Sequence, residues 1–408
     1  MKCRHCSHAL EHVFLDLGYA PPSNSYLSQD KLNFEEPTFP LKLFVCDHCW
    51  LVQTQDFARA DELFTDDYAY FSSTAQYWLE HSKRYAQMIM QQLDLNKESF
   101  VIEVASNDGY LLKNFVAAGV PCLGIEPTDS TADAAEKLGV PVLREFFGEG
   151  VATQLVEAGK SADLVCGNNV YAHVPDINDF TKGLKIILKE KGTINLEFPH
   201  LMQLIMHNQF DTVYHEHFSY LSLGTAVRIF EKAGLRIFDV EEIATHGGSL
   251  RIYGCHEEDE RETSAAVTVM LEREKQLGML DLRVYKNFQV QADKVKNDFI
   301  IFLQEQKAAG KRIAAYGAAA KGNTILNYAG IDSQLIEFVC DAATSKQGKF
   351  MPGSHIPILH PSELIKQKPD WVVILPWNIA QEVKKEQHQV RSWGGRFVTA
   401  VPELAQQD

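Results

Sequence analysis

Hydrophobic and polar positions alternate in a strand-and-helix order through the middle of the chain, from about residue 100 to residue 254. Short apolar runs typical of strands are separated there by stretches of helical periodicity, and a further helix is predicted over 76–93. This order predicts a parallel, doubly wound sheet. The strands predicted in this region are Phe100–Val104, Cys122–Glu126, Leu164–Gly167 and Gly192–Phe198.

The two ends of the chain follow other patterns. The N-terminal region contains only short strand-like stretches such as Phe39–Val45, whereas a charged, helix-favouring connector over about 256–310 precedes a second α/β unit. The strands predicted for that unit are Arg312–Tyr316, Leu335–Cys340, Asp370–Pro376 and Arg396–Ala400. We therefore predict an α/β protein with an N-terminal domain (1–75), a central Rossmann-like domain (76–255) and a helical connector with a C-terminal Rossmann-like domain (256–408).

Composition and charge exclude several classes of protein. The 408 residues are too many for one hydrophobic core, and 39 basic against 54 acidic residues give a net charge of -15. Such a surface repels phosphate backbones, so we expect no nucleic-acid partner. No apolar run reaches the roughly 20 residues of a membrane span, and the first residues lack a signal-peptide core. We expect a cytoplasmic monomer without membrane contact, whose four isolated cysteines are reduced core thiols.

Four other cysteines form two C-x-x-C pairs, Cys3 with Cys6 and Cys46 with Cys49. Each pair can supply two thiolates to one tetrahedral zinc ion at about 2.3 Å. We therefore predict a structural zinc site and an N-terminal zinc-binding domain that needs its metal to fold. A redox dithiol and two unrelated turns are the alternatives, and neither explains the symmetry of the two pairs. The substitute ligands would be His5, His8 and His48.

A strand, a small-residue turn and a helix start follow one another over residues 100–112. Such a turn lets a ligand approach the backbone, and Glu126 lies about 20 residues on, where a carboxylate can accept hydrogen bonds from a ribose. The turn lacks G-x-G-x-x-G, which disfavours a dinucleotide, and Asn107-Asp108-Gly109 is closer to the first motif of S-adenosylmethionine (SAM) methyltransferases. An ordinary βα turn is the alternative. The predicted cofactor-binding residues are Glu103, Ala105, Asn107, Asp108, Gly109, Tyr110, Glu126, Pro127 and Asn168.

Two histidines, a glutamate and two tyrosines lie within the seven residues of Tyr214–Tyr220. If this piece is extended, Tyr214 and Glu216 point away from the face that His215 and His217 share. Acid–base chemistry suits the cluster, because a histidine titrates near neutral pH and a nearby carboxylate can fix its tautomer. A His-x-His metal site is the alternative, although the spacing of helical zinc hydrolases is absent. His173, in the loop after an earlier strand, is either a further site residue or a structural histidine.

A second strand, small turn and helix start occur over residues 312–324. Small side chains expose backbone N–H groups there, and the helix N-terminus together with Lys321 would attract a diphosphate. A later loop adds two lysines beside the same sheet edge, whereas an Ala-rich packing helix is the alternative interpretation. The predicted substrate-binding residues are Tyr316, Gly317, Ala318, Lys321, Gly322, Asn323, Lys346 and Lys349.

Over nearly its entire length the chain resembles the three-domain sugar C-methyltransferases that act on nucleotide-linked 4-keto deoxysugars. The resemblance rests on the paired cysteines and on a series of short motifs. These motifs are Tyr68-Ala69-Tyr70-Phe71-Ser72-Ser73, Ser106-Asn107-Asp108-Gly109-Tyr110, Asn168-Asn169, Ala172-His173-Val174-Pro175-Asp176, Glu197-Phe198-Pro199, Tyr214-His215-Glu216-His217, His246-Gly247-Gly248-Ser249-Leu250-Arg251 and Tyr316-Gly317-Ala318-Ala319-Ala320-Lys321-Gly322-Asn323. Ala105 departs from the pattern, since family members often carry glycine there, and its methyl group would shift the cofactor slightly.

The resemblance implies a zinc-binding domain, a central SAM methyltransferase domain and a C-terminal domain that helps to hold a sugar nucleotide. It also implies that His217 is the base that removes the C-3 proton of the sugar. Tyr68 or Tyr70, His173, Tyr214 and Glu216 would shape the pocket and stabilise the enolate. The implied cofactors are SAM and structural zinc, and the implied substrate is a nucleoside-diphosphate ketosugar, TDP-linked in preference to GDP-linked.

The leading hypothesis is therefore SAM-dependent methylation of a nucleoside-diphosphate 4-keto-6-deoxysugar at C-3. Two functions of other classes remain open on the residues alone. An NAD-dependent sugar-nucleotide oxidoreductase would explain two Rossmann-like units. A zinc-anchored RNA-binding or scaffold protein would explain the cysteine pairs, but the net charge of -15 disfavours it.

Overall fold

A computed structural model of the chain describes residues 1–55, 71–74 and 76–407. Its strands in these ranges are β1 (His12–Ala20), β2 (Phe39–Val45), β3 (Val52–Thr54), β4 (Val101–Val104), β5 (Cys122–Ile125), β6 (Val142–Leu143), β7 (Ala162–Asn168), β8 (Leu188–Pro199), β9 (Ser219–Tyr220), β10 (Leu235–Ile243), β11 (Ser249–His256), β12 (Ile313–Tyr316), β13 (Val339–Cys340), β14 (Ile358–Leu359), β15 (Trp371–Ile374), β16 (Arg396–Thr399) and β17 (Ala405–Gln407).

The α-helices of the same ranges are α1 (Gln76–Gln92), α2 (Leu112–Ala117), α3 (Asp129–Lys137), α4 (Glu149–Glu157), α5 (Ile177–Ile187), α6 (Leu201–Met206), α7 (Leu223–Lys232), α8 (Ala265–Leu277), α9 (Leu282–Ala308), α10 (Ala320–Tyr328), α11 (Ser362–Gln367) and α12 (Ala380–Glu386). None of these helices combines the length and the apolar content that crossing a bilayer requires. The strands form three sheets, and the α/β fold class predicted from the sequence is confirmed.

The N-terminal sheet has the order β1-β2-β3-β9 and is antiparallel throughout. Strand β2 has the predicted bounds, and its alternate residues Leu41, Leu43 and Val45 are buried. The fourth strand, β9, comes from residue 219 onward, far along the chain. The N-terminal domain therefore completes its sheet with a strand that belongs to the central part of the sequence.

The central sheet has the order β10-β11-β8-β7-β4-β5-β6. Strands β8, β7, β4, β5 and β6 are parallel as predicted, and the four predicted strands are all present. The prediction of a wholly parallel sheet is wrong at one edge, where β10 and β11 run antiparallel. Only residues 244–248 connect these two strands, and so short a connection forms a hairpin because a parallel crossover needs a dozen residues or more.

The long helix α9 carries one apolar stripe that covers the N-terminal sheet. Its buried residues recur at intervals of three and four, which is the spacing of one helix face, and they are Tyr285, Phe288, Ala292, Val295, Phe299, Phe302 and Leu303. Phe14 of β1 stacks on Phe288 with ring centroids 4.8 Å apart. The predicted helical connector is thus a packing layer between the N-terminal and C-terminal parts of the molecule.

The C-terminal sheet has the order β14-β13-β12-β15-β16-β17 and is parallel except for the β16–β17 pair. The predicted strand over 335–340 shortens to β13 alone. Asp332 explains the difference, since its side chain accepts the N–H of Gln334 (2.9 Å) and its carbonyl accepts the N–H of Leu335 (3.2 Å). This turn holds Leu335 and Ile336, at the start of the predicted strand, out of the sheet.

The four paired cysteines lie in two turns of the same local structure. Ser7 donates its N–H to the Cys3 carbonyl (2.9 Å), and Trp50 donates its N–H to the Cys46 carbonyl (2.8 Å). Both donors are non-glycine residues with positive φ, +63° for Ser7 and +65° for Trp50. Two unrelated turns would not share a hydrogen bond and a rare backbone conformation, so the symmetry of the sequence extends to the structure.

The four sulfur atoms fit a tetrahedral metal ion. The Sγ atoms of Cys3 and Cys49 are 3.5 Å apart, those of Cys6 and Cys46 are 3.6 Å apart, and all four lie within 4.8 Å of one another. Zinc bound tetrahedrally at about 2.3 Å places its sulfurs about 3.8 Å apart. Gln53 also donates from Nε2 to the Cys3 Sγ (3.2 Å), which is the outer contact that orients a metal ligand.

The electrostatics of the four thiols call for a cation. A hydrogen bond from Cys49 lowers the pKa of Cys3 to about 4, and the same bond raises the pKa of Cys49 far above its ordinary value. Burial raises the pKa of Cys46 to about 11. The four sulfurs cannot all be thiolates side by side unless a positive ion neutralises them, and Zn²⁺ supplies that charge.

We expect the purified protein to carry one zinc ion per chain and to lose its N-terminal structure when a strong chelator removes the metal. Cys46→Ser should lower the zinc content and the thermal midpoint together, because metal binding supplies folding free energy to such small domains. Elemental analysis and circular dichroism measure the two effects. Cys122→Ser, at a buried cysteine outside the cluster, is the control. Full zinc content and stability in Cys46→Ser would contradict the assignment.

Candidate active site

The turn after β4 is a backbone cradle at the carboxyl edge of the central sheet. Three of its residues have positive φ, namely Ala105 (+57°), Asn107 (+48°) and Gly109 (+76°). A side chain at Gly109 would come within 3.1 Å of Ala135, so only glycine fits there. Ala105 and Asn107 adopt a backbone conformation that costs L residues free energy, and such strain is found most often where a ligand binds.

Glu126, at the carboxyl end of β5, holds this turn in place. Its Oε2 accepts the N–H of Asn107 (2.9 Å), and its Oε1 accepts the N–H of Thr128 (3.0 Å). The carboxylate therefore lies beside the turn, at the position predicted from the sequence, and Pro127 separates it from Thr128. A carboxylate has more acceptor positions than these hydrogen bonds use, so hydroxyl groups of a ribose can still bind it.

Buried polar atoms without good partners lie at the ends of the two neighbouring strands. Neither carboxylate oxygen of Glu103 has a hydrogen bond of good geometry among the described residues, and the same holds for the side-chain amide of Asn168. Burial raises the pKa of Glu103 well above its ordinary value, and the nearby Tyr110 hydroxyl offsets this only in part. Polar groups of this kind in a native structure call for a ligand or ordered water. Together with the strained turn and Glu126, they fit a nucleoside that carries an amino-acid group, as SAM does.

Residues 71–74 close the turn from the other side. Ser72 donates its N–H to the Asn107 side chain (2.9 Å), and Ser73 donates its N–H to Oδ2 of Asp108 (3.0 Å). Two predicted active-site residues, Tyr68 and Tyr70, precede this segment and lie outside the described residues.

The segment after Thr212 is a turn, so the alternation of faces that an extended backbone would give does not apply to it. The N–H of His217 donates to the carbonyl of Tyr214 (3.0 Å), and this turn brings the rings of Tyr214 and His217 to a centroid distance of 4.2 Å. His215 points away, with its Nε2 3.3 Å from the carbonyl of Phe39. Tyr214 thus lies beside His217, whereas on an extended backbone the two side chains would point to opposite faces.

Glu216 faces the N-terminal part of the molecule. Both of its carboxylate oxygens accept hydrogen bonds from the side-chain amide of Asn24, at 2.9 and 3.0 Å. The backbone of Glu216 also hydrogen-bonds to the ring of His173. Glu216 therefore connects the N-terminal domain to the histidine cluster.

His217 and His173 form the centre of the candidate site. Their rings meet edge to face, with centroids 4.5 Å apart and planes at 82°. Burial lowers the pKa of His217 well below its ordinary value, and the neighbouring His173, His246 and Lys321 lower it further, while a hydrogen bond to the backbone of Thr212 opposes the shift. Burial likewise lowers the pKa of His173 to about 4. Both imidazoles are therefore neutral at physiological pH.

His246 belongs to this cluster, although sequence reasoning gave it no role in the site. It has a φ of +53°, and its Nε2 lies 3.2 Å from the side-chain amide of Asn169, which also has a positive φ of +58°. Its ring lies 5.2 Å from that of Trp78, and burial lowers its pKa to about 4. The local signal was the two glycines that follow it, because a turn of this kind brings its residues close to neighbouring backbone.

The C-terminal part of the chain closes directly on the histidine cluster through Trp377. Its indole N–H donates to Oδ2 of Asp211 (2.7 Å), and its ring packs so closely on Gly247 that a side chain there would come within 2.5 Å. The Nζ of Lys321 lies 4.8 Å from the same ring. Burial raises the pKa of Asp211 to about 6, although the charge of Lys321 opposes the shift. Neither Trp377 nor Asp211 was predicted, since nothing local in the sequence indicates that they meet.

The predicted substrate-binding residues lie where the three parts of the molecule meet. The carbonyl of Ala318 accepts hydrogen bonds from the Tyr26 hydroxyl (2.6 Å) and from Nζ of Lys346 (2.8 Å), and the side chain of Asn323 donates to the carbonyl of Ser23 (2.5 Å). Gly317 and Gly322 are required by close approach to Pro376 and Leu375.

The remaining residues of this set lie around the same strands. The Tyr316 hydroxyl accepts from the side chain of Gln387 (3.4 Å), and Lys349 pairs through its backbone with Ile358. Asp341 accepts the N–H of Ala318 (2.7 Å). Binding of a sugar nucleotide by this set remains a prediction.

A continuous series of contacts joins the two predicted ligand sites. Lys321 lies over Trp377, which packs on Gly247 next to His246. The ring of His246 contacts Trp78, and Trp78 stacks on Tyr110 of the cofactor turn with centroids 6.0 Å apart. The β4 turn and the β12 turn therefore approach the histidine cluster from two sides.

Comparison with known proteins places this arrangement in a family. Three family models match the chain, one for a zinc binding domain over residues 3–64, one for a methyltransferase domain over 77–240 and one for the C-methyltransferase C-terminal domain over 244–402. The C-methyltransferase NovU of Streptomyces niveus is 33% identical over 402 residues, which cover 98% of this chain and 96% of that protein.

Solved structures align with part of the chain at lower similarity. A complex of the Haloferax volcanii Trm112 methyltransferase activator and a methyltransferase has a TM-score of 0.38 and 14% identity, and covers 50% of this chain and 99% of that chain. Magnesium protoporphyrin IX methyltransferase of Synechocystis PCC 6803 with bound SAM has a TM-score of 0.36 and 13% identity, and covers 50% of this chain and 100% of that chain. From the three domain models and the full-length relative, the chain belongs to the C-methyltransferase family, as a SAM-dependent methyltransferase with an N-terminal zinc-binding domain.

Proposed function

We propose that this methyltransferase acts on a nucleoside-diphosphate 4-keto-6-deoxysugar and methylates it at C-3, with a TDP-linked sugar favoured over a GDP-linked one. The observation that supports the proposal most strongly is a buried, neutral His217 whose ring contacts those of His173 and Tyr214 and whose pKa is lowered by the charge of Lys321. Family membership leaves the oxidoreductase and RNA-binding alternatives without support. The domain limits 1–75, 76–255 and 256–408 remain part of the proposal.

The proposed chemistry begins with proton removal by His217. A ketone at C-4 acidifies the hydrogen on C-3, and a neutral imidazole in a water-poor site can accept that proton without first losing one of its own. The electron pair of the broken C–H bond delocalises onto the C-4 oxygen, which makes C-3 nucleophilic. SAM supplies the electrophilic methyl group and leaves as a neutral thioether, so the proton remains on the imidazole.

Three groups around His217 are proposed to stabilise the charge on the enolate oxygen. Tyr214 is a hydroxyl donor in ring contact with His217, and His173 contacts it edge to face. Lys321 supplies a positive charge to the site, since that charge shifts the pKa values of His217, His246 and Asp211. Preorganised donors and charges in a buried site stabilise a developing anion more strongly than water does.

The cofactor is proposed to bind at the β4 turn. Glu126 would accept the ribose hydroxyls, and Glu103 and Asn168 would contact the amino-acid end, since their polar atoms are buried and lack good partners in the described part of the chain. Ala105, Asn107, Asp108, Gly109, Tyr110 and Pro127 would line the rest of this site. Lys346 and Lys349 are proposed to join Lys321 in holding the diphosphate.

We expect a thymidine-diphosphate 4-keto-6-deoxyhexose incubated with the enzyme and SAM to gain about 14 mass units, the increment of methyl-for-hydrogen exchange. Product NMR then locates the methyl group, because a C-4 ketone also acidifies the hydrogen at C-5. The guanosine-diphosphate analogue tests the preference for the base. No mass change with either nucleotide sugar would contradict the proposed substrate class.

Proton removal can be observed without methyl transfer. In D₂O without SAM, the wild-type enzyme should exchange the C-3 hydrogen for deuterium, and His217→Asn should be slower by about 100-fold or more, the usual size of a general-base contribution. His215→Asn is the matched control, since that ring faces Phe39. SAM binding by both variants, measured by calorimetry, verifies the fold. Equal exchange in wild type and His217→Asn would place the base elsewhere, with Tyr68 or Tyr70 next.

The exchange rate should also resist acid. The base works in its neutral form, and the pKa of His217 lies well below 6.5, so the neutral fraction stays near one as the pH falls from 7.5 to 6. An unperturbed histidine would lose about three quarters of its neutral form at pH 6. Deuterium exchange measured across this range separates the two cases, and a midpoint near pH 6.5 would show that His217 is not the base in its buried state.

A further inference from the structure

Arg4 lies between the zinc ligands Cys3 and Cys6, and its backbone is fixed by the same residue that orients one of them. The N–H of Arg4 donates to Oε1 of Gln53 (3.0 Å), while Nε2 of Gln53 donates to the Cys3 sulfur (3.2 Å). The turn of Cys3–Cys6, hereafter the zinc knuckle, therefore fixes the backbone position from which the Arg4 side chain extends.

The guanidinium of Arg4 leaves the knuckle and reaches two segments that carry the active-site histidines. One terminal nitrogen donates to the carbonyl of Pro175 (2.7 Å), two residues after His173. The other donates to the carbonyl of Thr54 (3.1 Å), and the guanidinium carbon lies 5.4 Å from the ring centre of Phe218, the neighbour of His217. A single planar cation thus contacts the flanks of both histidines.

The His217 segment is attached to the same zinc-bearing sheet. Thr54, whose carbonyl accepts from Arg4, donates its own N–H to the carbonyl of Phe218 (3.1 Å). Beyond this point β3 pairs with β9, with Val52 opposite Tyr220 and Gln53 opposite Ser219. The zinc knuckle, β3 and the His217 segment therefore form one hydrogen-bonded unit, and Arg4 connects that unit to the His173 segment.

Two connections hold the segments of the two imidazoles together, namely Arg4 and the hydrogen bond between the His173 ring and the backbone of Glu216. His173 and His217 come from chain segments more than 40 residues apart, and an edge-to-face ring contact is a weak interaction. Hydrogen bonds from a charged guanidinium are stronger and more directional. The separation of the two rings is therefore set by the hydrogen bonds that join their segments, those of Arg4 among them, more than by the ring contact itself.

We propose that Arg4 is a positioning residue of the methyltransferase, and that the zinc knuckle serves catalysis by holding the guanidinium against the segments of His173 and His217. The proposal rests on the proposed function in one respect, since it takes His217 as the base. It assigns the N-terminal domain a purpose beyond its own folding, namely to fix the orientation and the dry surroundings of that base.

The groups that face His217 determine what loss of Arg4 would do. His173, Tyr214 and Tyr220 contact its ring, and His246 and Lys321 act on it by charge. If the His173 segment loosens, water enters beside His217 and its surroundings become more like solution. The midpoint of its titration should then move up toward the ordinary value of a histidine.

Arg4→Met and Arg4→Lys test the proposal in the full-length, zinc-loaded enzyme. Methionine keeps the apolar stem without the donors, and lysine keeps the charge without the planar fork that reaches both carbonyls. Lys232→Met is the matched control, because Lys232 donates to the carbonyl of His5 (2.6 Å) and so docks the same knuckle without touching either histidine segment. Zinc content and SAM affinity of all three variants should equal those of the wild type.

Two readouts should separate the Arg4 variants from the control. Deuterium exchange into thymidine-diphosphate 4-keto-6-deoxyhexose without SAM should fall roughly tenfold or more, and its acid limb should move up by about one pH unit. NMR titration of histidine-labelled protein, assigned with His217→Gln and His173→Gln, should show the same upward shift for His217. Lys232→Met should show neither change.

Unchanged exchange and an unchanged His217 titration in zinc-loaded Arg4→Met would overturn the proposal, and so would equal changes in Lys232→Met. Arg4→Lys keeps the test available if Arg4→Met does not fold. The NMR titration needs no sugar, so it tests Arg4 even if the wild type fails to exchange the ketosugar hydrogen. A failure of that exchange in the wild type would count against the proposed function and not against Arg4.

Discussion

The pairing of β3 with β9 is the constraint on which the arrangement of the site depends. These two short strands join residues 52–54 to residues 219–220 and so combine the zinc-binding domain with the segment that carries His217. Backbone hydrogen bonds between β3 and β9 fix their pairing register. A slip of one residue would turn every side chain of the shifted strand to the opposite face. The second cysteine pair, Cys46 and Cys49, lies just before β3, so a metal ion bound by the four cysteines would anchor that end of the strand.

Burial of the histidine cluster follows from the meeting of three chain regions. The N-terminal region supplies Asn24 to Glu216, and the C-terminal region supplies Trp377 to Asp211 and Thr324 to the carbonyl of Val213. Each contact covers one side of the same turn and removes water from it. Burial lowers the pKa of an imidazole, because it disfavours the charged form. The low pKa values of the histidines, like the raised pKa of Asp211, are thus a consequence of this burial.

The sequence predicted the parts of the structure that depend on local chemistry. The two zinc ligands of each C-x-x-C pair lie within one short turn. The β4 turn and Glu126 belong to a βαβ unit, in which neighbours in sequence are neighbours in space. Both lie where they were expected. Strands β4, β5, β7 and β8 were predicted for the same reason, since each is a short apolar run bounded by polar turns.

The parts that were missed depend on long-range contacts. His246 joins the cluster only because β10 and β11 form an antiparallel hairpin that brings residue 246 beside Asn169. Trp377 and Asp211 meet across 166 positions of sequence. The turn over Tyr214–His217 is a different case, because alternation of side chains applies only to an extended backbone, and a backbone hydrogen bond from His217 to Tyr214 forms a turn there instead.

The burial of His217 depends on the domains that flank the central one. His217 lies on a segment with little regular structure. This segment is flanked by a 3-10 turn, Phe210–Thr212, and by the two-residue strand β9. Such a segment gains rigidity only from what packs on it, which here is the zinc-bearing sheet on one side and Trp377 with Lys321 on the other. In the proposed function, the flanking domains contribute by excluding water from the place where the proton is removed.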